Sequence, residues 1–597
     1  MASTFMGLNI SLQGLYVSRS GLDTTSHNVS NKNTEGYTRQ LIQQRATRPI
    51  SLKTGKGMLG TGAEVYGIKQ MRDEYLDRKY RSEKSSYGEY SAKSSSLHQL
   101  ETMINSASEK NFSSSLGSFF DAMQTLSTNP SDEAYLTVAR QKAVDYTKYF
   151  NDAAQRLISY QEDLNYNVKA TVDEINNIAT QIQSVNHQIY KLEMDGSAAN
   201  DLRDKRNLLV DELSELINVE TEEYEAQNDT KRFRVSINGQ VLVDHFDTNK
   251  LEAKAREVKS YDEFMAGTNY TQTAVEGVRT AYETYLAANS SSDFEGFVKE
   301  VEKGNITLTT EELAVAQEYN DYLKDYENYK NVNTNDLYDV YWEGSTTKLY
   351  NDVNYNSMQG KLKGYLDVRD GNASSPSSGE AKIDNSVVYK GIPYYLGQLN
   401  KFVQTFAQLM NEGKSYNGTK LSDGGGFANG YNINGETGIG WFSYKENVVE
   451  NIAASGKDID YSKITALNFT ISSEIKEDVK SMSTTYDENS LAENNDLILD
   501  LISLRHDNRA FSQGEIDDFM TAVTSQLAVD KSQATSFEEG QKNIMLSVEN
   551  QRESVSGVSM NEEMANMIKY QKVYAASARM INTMDEIYNI TINKIGS

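Results

Sequence analysis

Few residues in this sequence are spaced for catalysis. Gly55-Lys56-Gly57-Met58-Leu59-Gly60 has the G-x-G-x-x-G spacing of a dinucleotide loop. That mechanism needs a strand before the loop and a helix after it, so that helix N-terminal amides meet a pyrophosphate. Here a strand-like run, residues 63–68, follows instead, which argues against a nucleotide. The five histidines, His27, His98, His187, His245 and His506, lie far apart and form no His-Glu-x-x-His pair. Asp423 precedes three glycines but lacks the further carboxylates of a calcium loop. No serine sits in G-x-S-x-G. Cysteine is absent, which removes disulfides, thiolate metal sites and thiol nucleophiles. Glu562-Glu563 reads as a charge pair at a helix start, favourable against the helix dipole, rather than as a general acid and base. The chain is expected to be no enzyme and to carry no cofactor or metal.

One motif offers recognition chemistry. Asn28-Val29-Ser30-Asn31-Lys32-Asn33-Thr34-Glu35-Gly36-Tyr37-Thr38-Arg39-Gln40 ends the first helical stretch. Asn31 and Asn33 tolerate left-handed backbone and Gly36 permits a tight turn. Tyr37 and Arg39 then present an aromatic face and a forked cation.

The elements that position this turn are repetitive. Leu8, Leu15, Leu22 and Val29 recur every seven residues with Leu12 beside them, a heptad stripe too narrow for a self-sufficient helix. The C-terminus supplies a matching row, Met560, Met567, Tyr574, Ile581, Tyr588 and Ile595, reinforced by Met564, Ala578, Met584 and Ile592. Two such stripes can hold each other, or neighbouring chains, in a coiled coil. The cleanest periodicity lies between them. Val168, Ile175, Ile182 and Ile189 form one row, and Leu157, Leu164, Ile178, Val185 and Leu192 the other, with Thr171 the one polar intrusion. Those five heptads predict a rod of about 50 Å at about 1.5 Å per residue.

Other stretches change character. Pro49 and five glycines between residues 39 and 68 predict an extended hairpin. Phe233–Ile237, Asn238-Gly239 and Val241–Val243 predict a second hairpin. Residues 247–350 are acidic and tyrosine-rich, with a helical pattern near 311–329. Helical periodicity returns in 391–412 and 491–554, separated by a glycine- and asparagine-rich stretch.

With 597 residues the chain exceeds the roughly 250–300 that one core supports, so several domains are expected. The predicted fold class is α+β multidomain, with coiled-coil-like terminal helices, a long helical-bundle rod and inserted β-rich outer parts. The expected domains are 1–40 with 555–597 as an inner helical pair, 41–84 as a hairpin linker, and 85–219, 361–415 and 485–554 as the rod. A β-rich outer domain over 220–360 carries the acidic insert 247–350, and a small glycine-rich β subdomain spans 416–484.

Net charge is −26 and mean hydropathy −0.62, which argues against nucleic acid and membrane as partners. Residues 1–60 nevertheless carry seven basic and two acidic side chains, a net of +5, whereas residues 247–348 carry ten basic and twenty acidic, a net of −10. The N-terminus lacks a basic region, long apolar core and cleavage site, so no cleaved secretory signal is expected.

The turn at 28–40 resembles the N-terminal signature of flagellar rod, hook and hook-associated proteins, and its Tyr37-Thr38-Arg39-Gln40 ending is similar to the hook-associated protein 1 family. Residues 555–564, continuing to Tyr570, Gln571 and Tyr574, resemble that group's terminal helix. The blocks 200–210, 360–370 and 493–497 resemble its internal segments, while 247–350 resembles nothing nameable. The resemblance implies a structural subunit exported unfolded through the flagellar type III channel, then assembled as a ring of its own copies at the hook tip. Implied partners are the hook protein, the second junction protein (hook-associated protein 3) and a cytosolic chaperone on the C-terminal helix, at Met564, Tyr574, Ile581 and Tyr588. It further implies assembly through Leu8, Leu15, Leu22, Val29, Met567, Tyr574, Ile581, Tyr588 and Ile595, with Asn28, Asn31, Thr34, Gly36, Tyr37 and Arg39 as the signature turn. Another axial subunit, hook protein or flagellin-like, is the alternative.

Overall fold

The computed structural model describes residues 5–593 apart from 52–56, 106–111, 195, 197, 226–230, 257–259, 266–267, 269, 290–292, 333–336, 346–347, 351–354, 374–388 and 446–458. Ile595, Gly55 and Lys56, and the side chain of Ile592, lie outside the described residues.

The chain is nested. Helix α1 (Met6–Ser30) is followed by a two-stranded hairpin, β1 (Gln40–Ala46) against β4 (Ala63–Gln70), whose tip holds β2 (Ile50–Ser51) and β3 (Met58–Leu59). The glycine spacing at 55–60 therefore falls at a hairpin tip. Next come α2 (Glu74–Asn105), α3 (Phe112–Thr128), α4 (Glu133–Glu193) and α5 (Asn200–Leu216). The last two long helices, α14 (Ile516–Ser556) and α15 (Met560–Asn593), return to the beginning: α14 lies along α2, and α15 along α1.

The rod is longer than its heptads predict, because α4 runs unbroken for 61 residues, about 90 Å at about 1.5 Å per residue. Asp132 starts it by accepting from the Ala134 amide at 2.8 Å. The heptad rows do face inward. Leu157, Leu164, Val168, Ile175, Ile178, Ile182, Val185 and Ile189 are buried, and Thr171 is buried with its hydroxyl bonded to Asn167 O. Leu192, at the end, is 55% exposed.

Two cores divide this helix. Around its N-terminal half, Phe119, Tyr146 and Phe150 pack with Phe402 and Phe406 of α11 (Ile392–Glu412) in a cluster of offset and edge-on rings. Trp441, Phe442, Phe469 and Ile471 belong to the same cluster. The stretch 416–484, expected to be its own β subdomain, thus contributes two short strand pairs to the rod core instead of closing a separate one. These are β11 (Tyr431–Asn432) with β14 (Ser483–Thr485), and β12 (Phe442–Tyr444) with β13 (Phe469–Ile471). Around the C-terminal half of α4, α5 folds back, and the antiparallel sheet β5 (Glu220–Glu225), β6 (Lys231–Ile237), β7 (Gln240–Asp244) and β8 (Asp247–Thr248) covers it. Asn238 and Gly239, both at positive φ, close the β6–β7 hairpin. Helix α10 (Lys361–Asp370) touches both cores, with Leu362 and Leu366 in one and Val368 in the other.

The acidic insert departs from the β-rich expectation. Strands β9 (Leu251–Ala255) and β10 (Tyr338–Trp342) pair antiparallel, with Ala255 opposite Tyr338. Between them stand four helices, α6 (Tyr261–Met265), α7 (Gln272–Ala288), α8 (Phe294–Glu302) and α9 (Thr310–Val332), around a separate aromatic core of Phe264, Phe294, Phe297, Tyr319 and Tyr322. Tyr319 and Tyr322 thus help fill a small helical module, and α9 is the helix that the pattern near 311–329 predicts.

Candidate assembly site

Helices α1 and α15 form an antiparallel pair, but the seam is not the leucine row. A Cβ added at Gly7 would lie 2.7 Å from Met584, at Gly14 2.8 Å from Ser577, and at Gly21 2.7 Å from Tyr570. Asn28 continues the series by donating to Glu563 at 3.2 Å. Each step is seven residues forward on α1 and seven back on α15. Ser11 and Ser18 between the glycines, and Thr25 between Gly21 and Asn28, are also buried, and the two serine hydroxyls bond back to Gly7 O and Gly14 O. The glycines leave room for α15 side chains, Met584 and the Tyr570 ring among them, to lie directly on the α1 backbone, so the contact rests on close packing over small residues of α1.

The leucines flank that seam. Leu8, Leu15, Leu22 and Val29 are half-buried, while Leu12 and Tyr16 are 39% and 57% exposed. On α15, Met567, Ile581 and Tyr588 are half-buried at the edge of the contact, Tyr588 meeting the Phe5 ring at 5.1 Å between centroids. Tyr574 and Met564 are exposed, with Ile568, Val573, Met580, Ile587 and Ile590. Replacing Gly14 and Gly21 together by leucine is expected to force the pair apart at a cost of about 1–3 kcal/mol per site. Helicity of the rod should survive, and hydrogen exchange along 6–30 and 560–590 should rise.

The turn at 28–40 locks this pair to the rod. The Asn28 carboxamide, 1% exposed, uses all its bonding capacity. Its Oδ1 accepts from the Gln40 amide at 2.9 Å and the Tyr37 hydroxyl at 2.7 Å; its Nδ2 donates to Gln40 O at 2.9 Å and to Glu563. One side chain so imitates a strand partner for Gln40. Asn31 Oδ1 accepts from the Thr34 hydroxyl and Asn31 O from the Thr34 amide, which tightens the turn. Gly36 takes φ +75°, and a Cβ there would stand 3.2 Å from Leu208 of α5.

Arg39 is the clamp. Its Nε donates to Glu563 Oε1 at 2.7 Å and its Nη1 to Glu562 Oε2 at 2.6 Å. Glu563 is 1% exposed, so the helix-start glutamates serve as the receptor for the forked cation as well as dipole partners. The Arg39 amide also donates to Ser556 O at 2.8 Å, tying β1 to the end of α14.

Sequence reading missed the other side of the joint, which α5 supplies. Asp204 accepts from the Thr38 amide at 2.9 Å and from Gln70 Nε2 at 2.7 Å, and Arg72 stands 3.5 Å away. Asp201 accepts from Gln40 Nε2 at 2.8 Å. These acids lie in the 200–210 block, whose resemblance was the one available signal. Further along, Asp211 receives Arg81 at 2.7 Å and Arg552 at 2.5 Å. Burial would raise Asp211, but those two cations hold it below the usual carboxylate range.

Burial raises the Tyr37 hydroxyl, helped by the charges of Asp201, Asp204 and Glu563, so it remains a donor. Burial also raises Asp204 from 3.8 to about 6, against its bonds to Thr38 and the charge of Arg72. With the folded value above the unfolded one, the folded joint holds more protons between about pH 4 and 6. Its stability therefore falls as pH rises through that window. Exchange protection of the 31–40 turn is expected to be greater at pH 5 than at pH 7.5, and Asp204→Asn should flatten that difference.

Known proteins are similar in sequence along the whole chain. The family model described as Flagellar hook-associated protein FlgK helical domain matches residues 97–280, and the one described as Flagellar basal body rod FlgEFG protein C-terminal matches 549–594. Flagellar hook-associated protein 1 of Bacillus subtilis (strain 168) is 25% identical over 606 residues, covering 100% of this chain and 99% of its own. The proteins of that name from Salmonella typhimurium and Escherichia coli K12 are 25% and 23% identical, each over 98% of this chain and 99% of theirs. A solved structure titled as the flagellar hook junction protein FlgK from Burkholderia pseudomallei shares the fold, with a TM-score of 0.50, 12% identity, and coverage of 80% of this chain and 100% of that one. With the paired chain ends, the rod and the turn all in place, the chain is similar over its full length to the proteins named flagellar hook-associated protein 1.

Proposed function

We propose that the chain is a structural subunit of the bacterial flagellum that assembles with copies of itself as a ring at the hook tip and joins hook to filament. One observation carries the reading. Of the 27 large apolar residues exposed among the described residues, 17 lie in the α1/α15 pair, the hairpin and their flanks, residues 5–75 and 555–590. Apolar surface is stabilised by burial at about 25 cal/mol per Å², and its concentration on the two chain ends marks an interaction surface. Neighbouring copies would cover it, with the glycine seam holding each pair together and the leucine row facing outward.

The hook protein and hook-associated protein 3 are the axial partners on this reading. The cytosolic export chaperone would take the α15 face of Met564 and Tyr574, flanked by Ile581 and Tyr588, before assembly. Export through the type III channel would place the subunit outside the cell, in the flagellum.

The test is location and truncation. Labelled antibody against the native protein should mark the hook–filament boundary; label on the hook shaft or along the filament would favour another axial subunit. Deleting residues 560–597 should abolish incorporation, while the isolated 85–554 segment should keep its helical circular dichroism. Normal filaments grown with the truncated protein as the sole copy would refute the proposal.

A further inference from the structure

Helix α10 crosses α2 at close range because Gly364 has no Cβ; one built there would lie 2.5 Å from Glu89 O. The crossing encloses four charged side chains. Lys93 of α2 reaches Asp367 Oδ2 of α10 at 2.6 Å and Glu89 Oε1 at 2.5 Å. Lys363 donates to both Asp367 oxygens at 3.0 Å, and the Tyr355 hydroxyl donates to Oδ1 at 2.6 Å. The side chains of Lys93 and Asp367 are 7% and 3% exposed, and that of Glu89 12%. The Tyr389 ring lies 4.7 Å from Lys93 Nζ and the Tyr90 ring 5.5 Å.

We propose that Lys93 and Asp367 condense to an intramolecular isopeptide bond, with Glu89 as the proton relay. An amine held against a carboxyl, with a second carboxylate beside the amine and little water, has the parts of a proximity-driven acyl transfer. Glu89 takes a proton from the Lys93 ammonium and passes it to Asp367 Oδ2, which sets a neutral amine against a neutral carboxyl. The freed nitrogen attacks Asp367 Cγ, and negative charge develops on Oδ1, where Tyr355 and Lys363 already donate. Oδ2 then receives the second nitrogen proton and leaves as water. The third stays on the amide nitrogen. One ammonium and one carboxylate are consumed, one amide and one water are formed, and nothing is oxidised or reduced. Glu89 and Lys363 remain as a neutral set, so the product leaves no buried net charge. The bond would tie the rod to the block that carries the outer sheet and insert, in a chain that has no cysteine for the purpose. It requires the folded crossing, so it forms only after folding.

The opposing state is a permanent ion pair. Burial lowers Lys93, but Asp367 and Glu89 outweigh it and raise it overall, and Lys93 and Lys363 lower Asp367 against its burial. The mass of the purified full-length chain distinguishes the two. Denatured wild-type protein, after prolonged incubation in the folded state at 37 °C, should weigh one water less than its sequence, and its digest should contain a branched peptide joining residues 93 and 367. Glu89→Gln should fold with the same circular dichroism and show the full sequence mass, as should Lys93→Met. A wild-type chain at full sequence mass overturns the proposal, and so does a water loss that persists in Lys93→Met.

Discussion

Arg39→Ala is expected to detach the terminal helix pair from the rod. The guanidinium is the shared partner of Glu562 and Glu563, and Glu563 is buried to 1% exposure. Removing one member of a buried pair leaves the other desolvated, at a cost of about 3–5 kcal/mol. Asn28 Nδ2, at 3.2 Å, is the weaker bond that remains to that carboxylate. The loss should be local: hydrogen exchange at Thr38, Gln40 and 560–565 should rise by two orders of magnitude or more, at about 1.4 kcal/mol per tenfold. The aromatic core around Phe150 should keep its unfolding transition. Cells carrying the variant should swim poorly. Adding Glu563→Gln to Arg39→Ala should restore part of the protection, because it removes the orphaned charge; no recovery in the double variant would mean that the clamp acts by shape alone.

Arg369→Ala is expected to have the largest effect inside the rod. Arg369 is wholly buried and donates to Asn165 Oδ1 and Tyr338 O, both at 2.8 Å, and to Asp370 at 2.7 and 3.0 Å. It thereby joins α10 to α4 and to β10, beside the strands that carry the helical insert. Arg256 also contacts Asp370, at 3.0 Å, and Asp339, at 2.9 Å, so the variant loosens a network rather than a single pair. Orphaned acceptors and the cavity together should lower stability by about 3–5 kcal/mol. A fall in the melting temperature on the order of 10 °C follows, read by circular dichroism. A change below about 2 °C would mean that Arg256 and ordered water replace the guanidinium.

Several features of this molecule were legible from residue order. The inward rows of α4 follow from a 3-and-4 spacing that puts Val168, Ile175, Ile182 and Ile189 on one face whatever packs there. The nested course follows from similar repeats at both chain ends, and the turn at 28–40 from its asparagines, its glycine and its forked cation. The 61-residue length of α4 was understated because periodicity weakens where the aromatic core replaces aliphatic heptads, near Tyr146 and Phe150.

Facing, by contrast, was decided by tertiary contact. A seven-residue repeat runs through Gly7, Gly14 and Gly21 as well as through Leu8, Leu15 and Leu22, and hydropathy favours the leucines. The seam went to the glycines because Met584, Ser577 and Tyr570 can approach only where no Cβ stands. Of the helical insert only the pattern near 311–329, which is α9, was legible; its core was not, because only the fold brings Phe264, Phe294 and Phe297 onto Tyr319 and Tyr322. Asp204 and Asp201 lie more than 160 residues from the turn they hold. By itself the sequence determined the spacing of the repeats, the nesting of the ends and the chemistry of the Arg39 turn. Only the folded chain decided which row touches, which acids receive the turn and which apolar residues stay exposed, because each depends on which distant elements the fold brings together.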